Sequence, residues 1–262
     1  RELGLDGAVL KGIDISIHAP EEDYRQVVHF IKNDPLSLGA LVTTHKIDLY
    51  NACKDLFDFL DPYAQAFGEL SSISKKDGRL AGHAKDPISS GLALEAFVPE
   101  NYWRDHGGEV FIMGAGGSAR AMAAYLFDKK HGVNIPSKMY VANRSTPRLE
   151  TMKEIMKILC PKAPIEYHHC PEVTVNDNIL KKMKPFSLIV NATGLGKDRP
   201  GSPLSDQCEF PQNSLVWEIN YRGDLLFMHQ ALRQKEKKNL TVEDGWIYFI
   251  HGWTQVIAEV FH

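Results

Sequence analysis

Along the first hundred residues, short apolar runs alternate with stretches of helical spacing. Residues 8–10 and 13–15 have the composition of strand material. Ala19-Pro20-Glu21-Glu22-Asp23 opens a helix that carries Tyr24, Val27, Val28, Phe30 and Ile31; proline and acidic residues suit a first helical turn. Residues 39–43 (GALVT) predict a short buried strand, and residues 45–57 have helical periodicity. Residues 70–73 and 80–82 flank Asp77-Gly78, a hairpin signal. Asp86-Pro87 then starts a helix through Phe97, with Asp86 as its cap and Pro87 at its first position.

From about residue 108 the pattern becomes a clean β-α-β succession. A strand over 109–113 runs into Gly114-Ala115-Gly116-Gly117-Ser118-Ala119-Arg120-Ala121, and a helix follows to about 130. Strands are expected over 138–142, 165–168, 186–190 and 214–219, with a helix over 147–159 and a last one over 243–261. Strands alternating with helices imply a parallel sheet covered on both faces. The fold class expected is α/β with two domains: a small α/β substrate domain (residues 1–99 plus the C-terminal helix 243–262) and a dinucleotide-binding Rossmann domain (108–235). No repeat and no low-complexity linker interrupts them.

Composition narrows the function classes. With 262 residues, 44% of them hydrophobic, the chain is long enough for a substantial core. A formal net charge of −3 offers no electrostatic drive toward nucleic acid or an anionic membrane. No run approaches the roughly 20 apolar residues that span a bilayer, and no secretory leader is visible. Cys53, Cys160, Cys170 and Cys208 form no C-x-x-C pair and read as reduced thiols of a cytoplasmic protein. His168, His169 and Cys170 lack the spacing of a metal site, so no metal is expected.

The glycine-rich turn carries the sharpest chemistry. It follows an apolar strand and opens a helix of small residues, the context a dinucleotide site requires. Gly114 permits the tight turn, and Gly116 lets the backbone approach a pyrophosphate. Gly117, Ser118 and Ala119 keep the helix start open for an anion. The alternative is a purely structural glycine turn. The next strand ends in Asn143-Arg144-Ser145, with Arg148 beyond and no carboxylate. Two guanidinium groups and a hydroxyl suit a 2′-phosphate, which favours NADP over NAD; the alternative is that both arginines are simply solvated.

In combination, these segments resemble the shikimate/quinate dehydrogenase family. GAGGSARA, including Ala115, resembles its glycine loop, and NRSTPR its NADP-phosphate clamp. Asn191-Ala192-Thr193-Gly194-Leu195-Gly196 is similar to its N-A-T loop against the cofactor. Trp217-Glu218-Ile219-Asn220-Tyr221 resembles the strand and tyrosine near the nicotinamide. The first half matches more loosely. Val42-Thr43-Thr44-His45-Lys46 resembles V-T-x-P-x-K, one residue shorter and without the proline. Gly68-Glu69-Leu70-Ser71-Ser72-Ile73 resembles G-A-V-N-T-I, and Gly82-His83-Ala84-Lys85-Asp86 resembles G-x-N-T-D. Asp244-Gly245 also matches.

The resemblance implies a cytoplasmic enzyme of aromatic amino acid biosynthesis that transfers hydride between NADP and a small cyclic hydroxy acid, as a monomer or homodimer. It implies catalytic roles for Lys46 and Asp86, an ammonium and a carboxylate able to relay the alcohol proton. It implies cofactor contacts from Ile219 and Gly245 besides the loops above, and substrate contacts from Thr43, Ser71, Tyr221 and Gln255. The departures are specific. Both asparagines that would hold substrate hydroxyls are replaced, by Ser71 and Ala84, and the substrate glutamine position falls on Gly252, with Gln255 close by. No S-x-S-P-x-x-H-N segment is present; residues 1–6 read as the end of a helix already under way, and the first strand and helix are expected to be missing from the chain. His45 beside Lys46 reads as structural, with an accessory proton role as the alternative. His251 and Gln255, one turn apart, either contact substrate or pack. Two rival readings stand: a dinucleotide-binding module that no longer turns over, and a dehydrogenase of a different analogue, quinate or an amino-shikimate.

Overall fold

The computed structural model describes residues 4–261. The first element is α1 (Glu21–Asn33), with three acidic residues in its first turn and Lys32 in its last. It buries Tyr24, Val28 and Ile31, spaced to share one face. After β1 (Gly39–Leu41), α2 (Lys46–Cys53) and β2 (Phe59–Leu60) comes α3 (Pro62–Phe67). Asp61 caps α3 by accepting from the Ala64 N–H, and Gly68 ends it in the left-handed region. The hairpin of β3 (Ser72–Lys76) and β4 (Arg79–His83) turns at Asp77 and Gly78, both at positive φ. Next come α4 (Asp86–Glu95) and α5 (Tyr102–His106).

The second half begins with β5 (Val110–Met113), all four residues buried, and α6 (Gly117–Leu126). It continues through β6 (Met139–Asn143), α7 (Thr146–Leu159), β7 (Ile165–His169), α8 (Val173–Leu180) and β8 (Leu188–Asn191). The remaining elements are β9 (Leu215–Glu218), α9 (Leu226–Leu232), α10 (Lys235–Lys238), β10 (Thr241–Glu243) and α11 (Trp246–Phe261).

Two sheets result. The smaller has the order β1-β3-β4-β2, antiparallel except for the β2/β4 pair. The larger has the order β10-β9-β8-β5-β6-β7 and is parallel throughout. This is a doubly wound Rossmann sheet whose order reverses between β5 and β8. A core of Val110, Ile112, Met122, Val141, Val190 and Trp217 fills it from one face. The core under the small sheet gathers Tyr24, Val28, Leu49, Leu70, Ile73 and Leu80, and also Ala121, Ala124 and Ile155 from α6 and α7, so the two halves share apolar contact. Helix α11 packs on α4, β1 and β3, joining the last segment to the small sheet.

Several boundaries depart from expectation. Residues 8–10 and 13–15 form no strand; Val9 and Leu10 are more than three-quarters exposed. Among the described residues β1 pairs only with β3, and an apolar run without a neighbouring ladder has nothing to exchange its backbone hydrogen bonds with. Residues 4–6 are not helical, Gly4 lying at positive φ, while residues 1–3 of that expected helix end fall outside the described residues. Asp86 is the first residue of α4, not its cap: Lys85 holds the cap position without a side-chain bond. Short elements with little periodicity (β2, α3, α5, α8, α9, α10 and β10) had no expectation. The last of these adds a sixth strand to the large sheet.

Candidate active site

The switch point between β5 and β8 sets the site. Met113 and Asn191 are paired in register there, so the glycine turn and the N-A-T loop leave the sheet side by side. Gly114 lies at φ +118°, and a Cβ on it would stand 2.4 Å from the Ala192 carbonyl oxygen, so only glycine fits. Ala115 and Ala119 are buried; the space beside Gly116 is open. Gly116 is the cap residue of α6 and supplies no side-chain bond, leaving the first N–H groups of the helix available to an anion. Ser118 accepts a hydrogen bond from the Tyr248 hydroxyl of α11 at 3.3 Å.

At the end of β6, the Asn143 amide donates to the Ser145 carbonyl at 3.0 Å and folds the chain into α7. Arg144 and Arg148 are exposed, and neither forms an ion pair among the described residues. An open helix start and two unpaired guanidinium groups at the neighbouring strand end fit a phosphorylated dinucleotide.

The N-A-T loop is held by a buried network. Asn191 donates to a Glu218 carboxylate oxygen at 2.7 Å, and Asn220 donates to the other at 2.7 Å. Thr193 donates to Asn191 Oδ1 at 2.6 Å, and Asn220 reaches the Thr193 and Leu195 carbonyls. Gly194 is exposed at the tip of this loop. Burial pushes the Glu218 carboxyl up to about 7, against the pull of the Asn220 N–H and the two amides. Gly245 packs so closely on Ile219 that a Cβ would fall 1.9 Å from its carbonyl oxygen. Tyr221 packs against Phe249 of α11 with ring centres 4.5 Å apart and planes tilted by 32°.

Opposite the glycine turn stand Lys46, the first residue of α2, and Asp86, the first residue of α4. Lys46 Nζ donates to both Asp86 oxygens, at 2.8 and 2.7 Å. The pair is partly open, with side chains 25% and 15% exposed. Both line a cleft of about 400 Å3 with His18, Thr44, Asp48, Glu69, Gly117 and Ser118. That volume suits a small ligand. A second hollow of about 480 Å3, between residues 13–16 and α1, contains none of the expected site residues.

The other expected residues are placed less directly. Thr43 is exposed, and its neighbour Thr44 lines the cleft instead. The buried Ser71 hydroxyl accepts from the Lys85 N–H at 2.7 Å and lies 3.4 Å from the His83 carbonyl, so it is engaged inside the protein. His45 lies 3.2 Å from the Tyr24 hydroxyl, a structural placement. Gln255 is half-buried on α11, and the His251 carbonyl accepts from Ser89. No group of three or more His, Cys, Asp or Glu able to hold a metal occurs among the described residues.

Sequence reasoning missed four residues around the site. Glu69 is 3% exposed, and burial and then nearby Asp86 push its carboxyl up to about 7, against Lys46 and Arg120. Arg120 lies within the quoted glycine motif, yet its burial is visible only in three dimensions; that burial weakens its hold on its proton, with Glu69 opposing. Tyr248 and Asn220 tie α11 and the N-A-T loop to the site. The one available signal was Glu69 itself, a charge standing where the resembling segment has alanine.

No family model matches the chain. Among curated proteins, a shikimate dehydrogenase (NADP(+)) of Streptococcus thermophilus is 27% identical over 223 residues, 84% of this chain and 71% of that protein. One of the same name from Nitrosopumilus maritimus is 24% identical over 246 residues, 94% of this chain and 79% of the other. Among solved structures, quinate dehydrogenase from Corynebacterium glutamicum in complex with NAD has the same fold, with a TM-score of 0.71 at 19% identity over 95% of this chain and 80% of that one. The ordered motifs, the doubly wound sheet and these relatives agree in one direction: the chain is similar in sequence to shikimate dehydrogenases and shares the fold of the shikimate and quinate dehydrogenases.

Proposed function

We propose that this chain is an NADP-dependent oxidoreductase that transfers hydride reversibly between the nicotinamide and a hydroxyl- or keto-bearing carbon of a small cyclic hydroxy acid. The observation that carries this reading is the Lys46–Asp86 pair, 2.7 Å apart, facing the start of α6 across one cleft. The names of the curated relatives support both NADP and the CH–OH chemistry. In this reading residues 1–99 with α11 hold the substrate, residues 108–235 hold the cofactor, and the protein acts on a small molecule in the cytoplasm as a monomer or homodimer, with neither nucleic acid nor membrane as a partner. No described helix is long and apolar enough to cross a membrane.

The dinucleotide, when bound, supplies or accepts the hydride, and the protein supplies position and the proton. The N–H groups at the start of α6 hold the pyrophosphate, and Arg144, Ser145 and Arg148 hold the 2′-phosphate. Asn191, Thr193 and Ile219 shape the nicotinamide side. Lys46 donates a hydrogen bond to the substrate oxygen while Asp86 fixes the direction of its ammonium. Tyr221 and Gln255 close the far side of the substrate.

Ser71 and Ala84 favour an analogue over shikimate itself. One hydroxyl is spent on backbone groups and the other position has no polar atom, so two hydrogen bonds to ring hydroxyls are missing. The test follows nicotinamide absorbance with NADP and shikimate, quinate and an amino analogue, using the native chain and Lys46→Ala. Reduction with one substrate, lost in Lys46→Ala while NADP binding persists, is the expected result. Tight NADP binding without turnover of any of them points to the non-catalytic module.

A further inference from the structure

One buried ionisable side chain in the cleft has no part in that mechanism. Glu69 is 3% exposed, and its Oε1 is buried with no hydrogen-bond partner. Its Oε2 stands 3.5 Å from the position a Cβ would take on Gly117, so the carboxyl lies directly against the first residue of α6. That helix is ten residues long, and its cap residue has no side chain to occupy the site. The groups facing Glu69 are Lys46 from α2, Asp86 from α4, Arg120 from α6 and Tyr248 from α11, with Arg148 of α7 acting in turn on Arg120.

These neighbours do not neutralise Glu69. Lys46 is held by both oxygens of Asp86, and Arg120 forms no ion pair among the described residues. Yet the start of α6 is where backbone N–H groups and the helix dipole favour an anion. An ionised Glu69 and a pyrophosphate at that place repel each other in a poorly solvated cleft. A protonated Glu69 does not, and its O–H can donate to a phosphate oxygen, giving the unpartnered carboxyl the partner it lacks. Because burial and Asp86 hold this carboxyl near neutrality, both states are accessible under ordinary conditions.

We infer that Glu69 is a cofactor-contact residue that meets the pyrophosphate as a neutral acid, so that the dinucleotide binds together with a proton drawn from solvent. The proton moves from water or buffer to a Glu69 oxygen, and no other bond forms or breaks. This rests on the reading that α6 receives a dinucleotide.

Titration calorimetry of the whole chain with NADP, in two buffers of different ionisation enthalpy, tests it. At about pH 8 the native chain is expected to take up more protons than Glu69→Gln, by an amount approaching one. Native affinity is expected to weaken above neutrality by up to about tenfold per pH unit, while the variant stays flat and binds more tightly in the alkaline range. Equal proton uptake by the two proteins overturns the inference. If the variant does not fold, the native profile decides alone, since flat NADP affinity from about pH 7 to 9 also overturns it. Absence of NADP binding at every pH removes the functional reading as well, whereas binding without the extra proton removes only the role of Glu69.

Discussion

The two walls of the cleft use different parts of the polypeptide. On the cofactor wall the work belongs to the backbone: the start of α6, the Gly114 turn and a loop braced from beneath by Glu218 and Asn220. On the opposite wall it belongs to side chains, Lys46 and Asp86 for the proposed substrate and Glu69 facing the start of α6, brought together from three separate segments. Backbone sites tolerate few residue types, because the wrong Cβ collides with the chain. Side-chain sites tolerate exchange, because another group can occupy the same volume with different chemistry. The motifs that resemble the shikimate/quinate dehydrogenases are therefore fullest on one wall, while on the other Ser71 and Ala84 stand where the resembling segments have asparagine, and Glu69 where they have alanine.

The comparison can be broken most sharply at Lys46. Lys46→Ala is expected to reduce turnover by about 10²–10⁴-fold with little change in NADP affinity, measured by steady-state kinetics beside calorimetry. An equal loss of affinity would mean that the two walls are not separable. Next in size is Gly114→Ala, which puts a Cβ 2.4 Å from the Ala192 oxygen at φ +118° and is expected to cost about 3 kcal/mol of stability in denaturant unfolding. An unchanged midpoint would show that the turn yields.

The third prediction concerns pH. Glu69 and Glu218 are both raised to about 7 from an ordinary 4.5. Across that interval the folded state keeps protons that the unfolded chain releases. Their contribution to stability is thus fully present below about 4.5 and is lost as pH rises through about 7. Glu69→Gln is expected to stabilise the protein by up to about 3 kcal/mol near pH 8 and by little near pH 4, read from thermal or denaturant midpoints. A constant difference across that range would contradict the raised carboxyl. Smallest is Arg148→Ala, expected to weaken NADP by about tenfold and to leave NAD unchanged. Equal weakening of both would relocate the 2′-phosphate.

How much of this was legible in the chain follows the same division. The turn at Gly114 can be read locally, because strand, glycine and helix start are consecutive and sterics allow nothing else there. The Lys46–Asp86 pairing cannot be read from local spacing: it came from resemblance alone. Asp86 beside Pro87 has every local mark of a helix cap, and only the fold shows its carboxylate turned to a lysine forty residues earlier. Ser71 fails as a free hydroxyl for a similar reason, since its partner is the backbone at Lys85. The apolar residues at 8–10 and 13–15 carry strand propensity, but propensity yields a strand only where another strand offers hydrogen bonds.

Helix α11 has a consequence for how the protein is made. It starts beside Trp217 of β9 and Ser118 of α6, packs across α4, β1 and β3, and ends with Glu259 paired to Lys85 and near His83 at 3.4 Å. During synthesis the small sheet emerges first, yet its covering helix appears only after the whole cofactor half. Residues 4–95 therefore cannot complete their packing before α11 has been made, and the nascent chain carries an uncovered sheet face until then.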